Sequence, residues 1–258
     1  MKKVYLVILI FLSMCSCGNQ QSAISNQQSA ISNQQSNVTI SDINKEILVK
    51  DTRKIENKFD SYKKNGSYIL YNELFRSYKK NVDVVFLGDS ITWYCYWNEL
   101  IDTEFSVMNR GIGSDTTFGV IHRLDEVFEH KPKFIFIMIG INDIYQGFDL
   151  NIIADNYRQI ISSMKKNNIV PIIQSTLYVS RKYKNRNPVE MNIAVEILNH
   201  SLKKIAYDEK LYYLDLNKKL STGKYLNDKY TFDGIHLNSV GYNIWKDEIE
   251  KSEILKQK

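Results

Sequence analysis

The chain has 258 residues, of which 43% are hydrophobic and 24% charged, with only three prolines; this is globular composition and excludes collagen-like and disordered classes. Its net charge of +5 belongs in part to Lys2 and Lys3, too little for the footprint of a dedicated nucleic-acid binder, so no nucleic-acid partner is expected. Two of the three cysteines lie at positions 15 and 17, which rules out a disulfide scaffold.

Residues 1–17, MKKVYLVILIFLSMCSC, set two lysines ahead of an apolar run from Val4 to Met14. That run is shorter than the ~20 residues a membrane-spanning helix needs and fits the apolar part of an export signal. A cysteine stands where a small-residue cleavage site would be. The arrangement resembles the lipobox of bacterial lipoproteins, which implies that the cysteine is diacylated and becomes the mature N-terminus. Ser16 before Cys17 is the required small residue, whereas Cys15 is preceded by bulky Met14. Cys17 is therefore the expected lipidation site, with Cys15 the alternative. The implied location is the cell envelope, at the periplasmic face or the cell surface, with the membrane as partner through the anchor. From Asn19 the unit NQQSAIS is repeated at Asn26 and in part at Asn33. An adjacent Ala-Ile pair is its only apolar content, so residues 18–40 read as a flexible tether and not a coiled coil. Such a coil would span roughly 25 Å. The folded domain is expected over 41–258.

Within it, apolar β-rich runs alternate with helical patterns. Strands are expected at 82–87, 105–109, 134–139, 169–174 and 211–216, the unbroken FIFIMI of the third marking a strand buried on both faces. Helices are expected near 93–102, 116–130, 151–167, 189–208 and 239–255, with two further helical segments within 45–80 packed outside the first strand. Strand, helix, strand, repeated, specifies an α/β fold with a five-stranded parallel sheet. In such sheets the chemistry lies beyond the carboxyl ends of the strands, and the unusual polar residues fall there.

After the first strand comes Gly88-Asp89-Ser90-Ile91, which puts a serine hydroxyl on a strand-to-helix turn. After the second comes Asn109-Arg110-Gly111-Ile112-Gly113-Ser114-Asp115, a loop whose backbone N–H groups can face an anion. After the third comes Gly140-Ile141-Asn142-Asp143, where an Asn amide is a donor that does not titrate. Before the last helix stands Asp233-Gly234-Ile235-His236. Asp233 can fold back to accept Nδ1–H of His236, leaving Nε2 as a base for the Ser90 proton. His122, His130 and His200 have no such partner and read as surface or packing residues.

These four blocks, in this order, resemble the GDSL-type esterases and lipases, also called SGNH hydrolases, over roughly 82–245. The resemblance implies a flavodoxin-like three-layer α/β sandwich and ester hydrolysis with no cofactor and no metal. It implies Ser90 as nucleophile, His236 as base and Asp233 as the acid that orients it. Asn142 and the N–H of Ser90 would meet the oxyanion, while Asp143 would brace its loop and Asp89 its turn. In these enzymes a glycine commonly stands before the Asp-Thr pair, whereas here Ser114 does and Gly113 precedes it. Any residue but proline offers an N–H, so Gly113 and Ser114 are both candidates, the choice turning on whether Ser114 tolerates the required dihedrals.

Sequences carrying RGIxxDTT and RLDEV, here Arg110–Thr117 and Arg123–Val127, resemble short-chain acyl esterases related to platelet-activating-factor acetylhydrolases. That implies a small-molecule or glycan ester as substrate, with acetyl as the acyl group. A lysophospholipase or thioesterase is the alternative, and a binding lipoprotein that has lost the chemistry is the rival from another class. Trp93, Tyr94, Tyr96 and Trp97 read as core before substrate wall. The basic segment 178–188 reads as solvated loop before anion-binding surface.

Overall fold

A computed structural model describes residues 59–256; the expected signal segment 1–17, the tether 18–40 and the start of the expected domain lie outside the described residues. Helix α1 (Gly66–Ser77) leads to β1 (Val84–Gly88), then α2 (Ser90–Trp93), α3 (Trp97–Leu100) and β2 (Val107–Gly111). Next come α4 (Thr117–Ile121), α5 (Leu124–Glu129), β3 (Phe134–Met138), α6 (Ile141–Tyr145), α7 (Leu150–Lys166) and β4 (Val170–Gln174). The chain continues through α8 (Pro188–Glu209), β5 (Tyr212–Leu214), α9 (Asn217–Leu220), the short hairpin β6 (Ser221–Thr222) and β7 (Tyr225–Leu226), and α10 (Ser239–Lys251).

The five main strands form one parallel sheet in the order β2-β1-β3-β4-β5. Consecutive residues Val84, Val85, Phe86 and Leu87 of β1 are all buried, as are Ile135, Phe136 and Ile137 of β3. Successive side chains of a strand point to opposite faces, so both faces of the sheet are covered. The order reverses between β1 and β3, and the crevice at their carboxyl ends is where a ligand is expected. On one helix face Ile153, Tyr157, Ile160, Ile161 and Met164 of α7 are buried, at the three-to-four spacing of a packed stripe. Asn187 caps α8, whose first residue is Pro188, and Asn238 caps α10, both favoured helix starts.

Three departures from the sequence reading have local causes. The helix expected over 93–102 is split into α2 and α3, because the Asn109 side-chain amide donates to the carbonyls of Thr92, Trp93 and Cys95 at 3.0, 3.1 and 2.8 Å. Those carbonyls are thereby withdrawn from a continuous helix. The helix expected over 116–130 breaks between α4 and α5, where Arg123 turns inward to Asp115 and to the Gly88 carbonyl. Helix α1 packs on the loop after β2 and not outside β1: Tyr62, Tyr68 and Phe75 bury Ile112, and Asn65 Nδ2 donates to the Gly113 carbonyl at 2.7 Å.

Trp97 joins α3 to the sheet and to the last helix. Its ring stacks on Phe86 at 4.0 Å and meets Trp245 of α10 edge-on at 4.7 Å, and its indole N–H donates to the Thr92 carbonyl. Trp97→Ala should cost about 3–5 kcal/mol in urea denaturation followed by circular dichroism; a loss under about 1 kcal/mol would contradict this role for the ring.

Candidate active site

The site is built at the crevice between β1 and β3. Gly88 closes β1 and Asp89 turns the chain into α2, its Oδ1 accepting the Ile91 N–H at 2.9 Å, which makes Ser90 the first residue of that helix. The end of β2 holds α2 in place by direct backbone contact, since a Cβ on Gly111 would lie 2.3 Å from the Trp93 nitrogen. Only glycine permits that approach.

Ser90 Oγ lies 2.8 Å from Nε2 of His236, and His236 Nδ1 lies 2.5 Å from Asp233 Oδ2. The other oxygen of Asp233 accepts the N–H groups of Ile235 and His236 at 3.0 and 2.8 Å. Partial burial works to raise the Asp233 pKa, but the bonds from the His236 ring and from these two N–H groups outweigh it and hold the carboxyl below its ordinary value. An ionised Asp233 only accepts, so Nδ1 of His236 carries a proton, and in the tautomer that leaves Nε2 bare that nitrogen is the acceptor facing Ser90. The turn that folds Asp233 back requires Gly234 at φ +96°. Thr231 Oγ1 fastens it, accepting the Gly234 N–H and donating to the His236 carbonyl.

Candidate donors line the same cavity. Ser90 N–H starts α2. Ser114 adopts φ +59°, the left-handed region in which glycine is at ease and other residues are strained. Asn65 holds the Gly113 carbonyl, and the trans peptide therefore turns the Ser114 N–H the other way. Among the described residues neither the Ser114 N–H nor the Gly113 N–H has a backbone acceptor, and both residues line the cavity, so both are candidate donors. Asn142, on α6, gives one Nδ2 hydrogen to the Asp115 carbonyl at 2.9 Å, which orients the amide and leaves the second hydrogen for a ligand.

Beneath these donors three carboxyls are fully buried, Asp89, Asp115 and Asp143. Burial pushes Asp89 up to about 7, with the nearby Asp115 and Asp143 adding to it. Burial likewise lifts Asp143 to about 7 against the N–H and hydroxyl it accepts from Thr117. Asp115 rises to about 6 even with Arg123 beside it, Nη2 to Oδ2 at 2.8 Å. Asp143 ties α6, and with it Asn142, to the start of α4, while Asp89 caps α2; both brace their loops and neither lines the cavity.

Ser90, Ser114, Asn142, Asp233 and His236 open onto one cavity of about 920 Å³. The sequence reading is divided on the aromatic cluster. Trp93 and Tyr94 line this cavity and Trp97 is core, while Tyr96 is exposed beside a neighbouring groove. Lys182, Tyr183, Lys184 and Asn185 of the basic segment also form cavity wall, so that segment is more than a solvated loop. His122, His130 and His200 are not part of the lining; His130 is buried against Glu126 and Arg110. Ser67, Tyr145 and Gln146 were not legible as wall residues, because no spacing rule brings α1 and α6 to the same cavity.

Residues 86–244 match the GDSL-like Lipase/Acylhydrolase family, more than half of the chain. The chain belongs to that family and is a carboxylic ester hydrolase. It is similar to the isoamyl acetate-hydrolyzing esterase of Saccharomyces cerevisiae, 29% identical over 163 residues, 57% of this chain and 68% of that protein. It is also similar to the N-acylneuraminate cytidylyltransferase of Streptococcus agalactiae, 25% identical over 192 residues, covering 70% of this chain but only 43% of that protein. Among solved structures, a GDSL-like lipase from Bacteroides thetaiotaomicron superposes with a TM-score of 0.62 at 25% identity, over 75% of this chain and 97% of that one.

The raised carboxyls set a pH dependence of stability. Their folded pKa values of about 6 to 7 exceed the unfolded value of about 4, so between these limits the folded chain holds more protons and stability falls as pH rises; above pH ~7 the slope vanishes. Asp143→Asn should flatten this slope by up to about 1.4 kcal/mol per pH unit in urea titrations between pH 4 and 7, and an unchanged slope would contradict the assignment. At position 114, Ser114→Gly should keep kcat within about threefold, whereas Ser114→Val, with a β-branched residue forced to positive φ, should lose stability and most activity. Equal activity of the two variants would show that turnover does not depend on the backbone conformation at position 114.

Proposed function

We propose that the protein hydrolyses esters by two-step acyl transfer at Ser90, removing short acyl groups, acetyl foremost, from a hydroxyl of a carbohydrate or similar alcohol. The observation that carries the chemistry is the aligned array Ser90–His236–Asp233 with candidate donors lining the same cavity. Ser90 Oγ bonds to the ester carbonyl carbon as its proton passes to His236 Nε2, and the carbonyl electron pair becomes an oxyanion. The N–H groups of Ser90 and of Ser114 or Gly113, and the free Nδ2 hydrogen of Asn142, receive that charge. Collapse breaks the bond to the alcohol, which leaves with the proton from His236. Water then repeats the sequence on the acyl-enzyme, His236 taking its proton and returning it to Ser90.

One relative supports the finer reading, since it is named for hydrolysing an acetate ester. The cavity, wide and mixed in its polar and aromatic lining, suits a hydrated alcohol. One observation favours longer acyl chains, a groove of about 510 Å³ lined by Leu100, Leu237 and Tyr242, which shares Tyr94 and Phe232 with the cavity. Upstream, Cys17 as lipidated residue and 18–40 as tether would hold the domain at a membrane surface. Among the described residues no helix is long and apolar enough to cross a membrane.

Hydrolysis of p-nitrophenyl acetate, butyrate, octanoate and palmitate by the purified protein tests both levels. Activity should be lost in Ser90→Ala and greatest for acetate; a maximum at octanoate or beyond would favour the lipid alternative, and activity surviving in Ser90→Ala would overturn the mechanism. Asn142→Ala should lower kcat about 10²–10³-fold with acylation of Ser90 still detectable, and turnover near that of the parent would remove Asn142 from the site.

A further inference from the structure

The basic segment after β4 is fastened to the catalytic turn and does not hang free beside it. The Ser180 N–H donates to the Gly234 carbonyl at 2.7 Å, and the Ser180 hydroxyl donates to Asp228. Ser180 in turn orders the next residues, its Oγ accepting the Lys182 N–H at 3.0 Å and its carbonyl the Tyr183 N–H at 3.1 Å. Tyr183 is buried and sits so close to Gly234 that a Cβ there would lie 2.9 Å from the Tyr183 nitrogen. The glycine that allows Asp233 to reach His236 thus also seats Tyr183. Lys182 and Lys184 flank this anchor, and both line the cavity that holds Ser90. Further on, the Arg186 guanidinium covers the ring of Tyr145 at 4.7 Å, pinning the segment to α6, which carries Asn142.

The charge in this wall is unbalanced. Among the described lining residues Asp233 is the one carboxylate, and it is engaged by His236. Lys182 lies 3.2 Å from Asp228, whose other oxygen already accepts from Ser180. Lys184 has no carboxylate partner among the described residues. Two exposed lysines on a segment seated at the cavity edge by the buried Tyr183, one of them without a carboxylate partner among the described residues, favour a ligand that brings negative charge. The mechanism says where that charge sits. His236 returns its proton to the leaving alcohol, so the alcohol lies on the side of the histidine turn, and the segment that bears the lysines is fastened to that same turn. We infer that Lys182 and Lys184 bind an anionic group on the alcohol part of the substrate, which makes the preferred esters those of an acidic alcohol such as a sugar acid. The inference rests on the ester-hydrolase reading above.

The test uses the full chain and two probes, mono-O-acetylated glucuronic acid and its uncharged carboxyl methyl ester, with acetate release as readout. The acid should be preferred by about tenfold in kcat/KM at low salt, mainly through KM, and the preference should shrink as salt is added. Lys182→Gln/Lys184→Gln should bring the ratio close to one, while Lys203→Gln, an exposed lysine outside the lining, should leave the ratio as it is. Equal turnover of acid and ester, turnover of neither, or a preference that survives the double variant would overturn the subsite. So would a double-variant-sensitive preference for an acetyl-bearing phospholipid in micelles over the sugar acid, since the anion would then come from a lipid headgroup. Ser90-dependent hydrolysis of p-nitrophenyl acetate reports on the underlying reading separately.

Discussion

The hydrogen bond between Ser90 Oγ and His236 Nε2, 2.8 Å long across 146 positions of sequence, is the constraint on which the rest of the site depends. It exists only if the end of β1 and the start of α10 are held in fixed register. Two contacts do this. The Tyr242 hydroxyl of α10 donates to the Ile91 carbonyl of α2 at 2.7 Å, bonding the helix after the histidine to the helix that begins with the serine. Below it, the indoles of Trp97 and Trp245 lock the same two regions together. A shift of an ångström at either place would lengthen the proton path and cost rate steeply.

The other half of the site is set electrostatically. Three buried carboxyls and Arg123 lie beneath the donors that face the cavity. Arg123 bonds to Asp115 and to the Gly88 carbonyl, so the loop bearing Ser114 is tied to the strand that bears Ser90. Asp143 does the same between Asn142 and Thr117. Burying these acids raises their pKa values and costs stability at neutral pH. In exchange, every donor is oriented before substrate arrives, which is the condition for oxyanion stabilisation. The positive φ of Ser114 belongs to the same pattern of local strain at a reacting centre.

Much of this was legible in the sequence, for reasons that can be named. The strands were marked by unbroken apolar runs such as FIFIMI, and the observed β3 falls within that run. Ser90, Asn142 and the Asp233–His236 pair stood out as candidates because each sits at a strand end or in a turn, where a polar residue must be explained. What escaped was decided by contacts distant in sequence. The split of α2 from α3 comes from one amide, Asn109, capping three carbonyls, and no local propensity announces it. Nor does any local signal announce that Asn65, some fifty residues upstream at the cap of a helix expected to pack elsewhere, bonds to the Gly113 carbonyl beside Ser114. The basic segment read as solvated loop because a run of charge after a strand is most often solvated; the seating of Tyr183 on Gly234 makes it wall.

The most direct test of the account is covalent. Treating the protein with a fluorophosphonate ester and mapping the adduct by peptide mass spectrometry should give one label per chain, on Ser90, at a rate that collapses in His236→Ala. Labelling at another residue, or no labelling of a folded chain, would contradict the claim that Ser90 is the activated nucleophile.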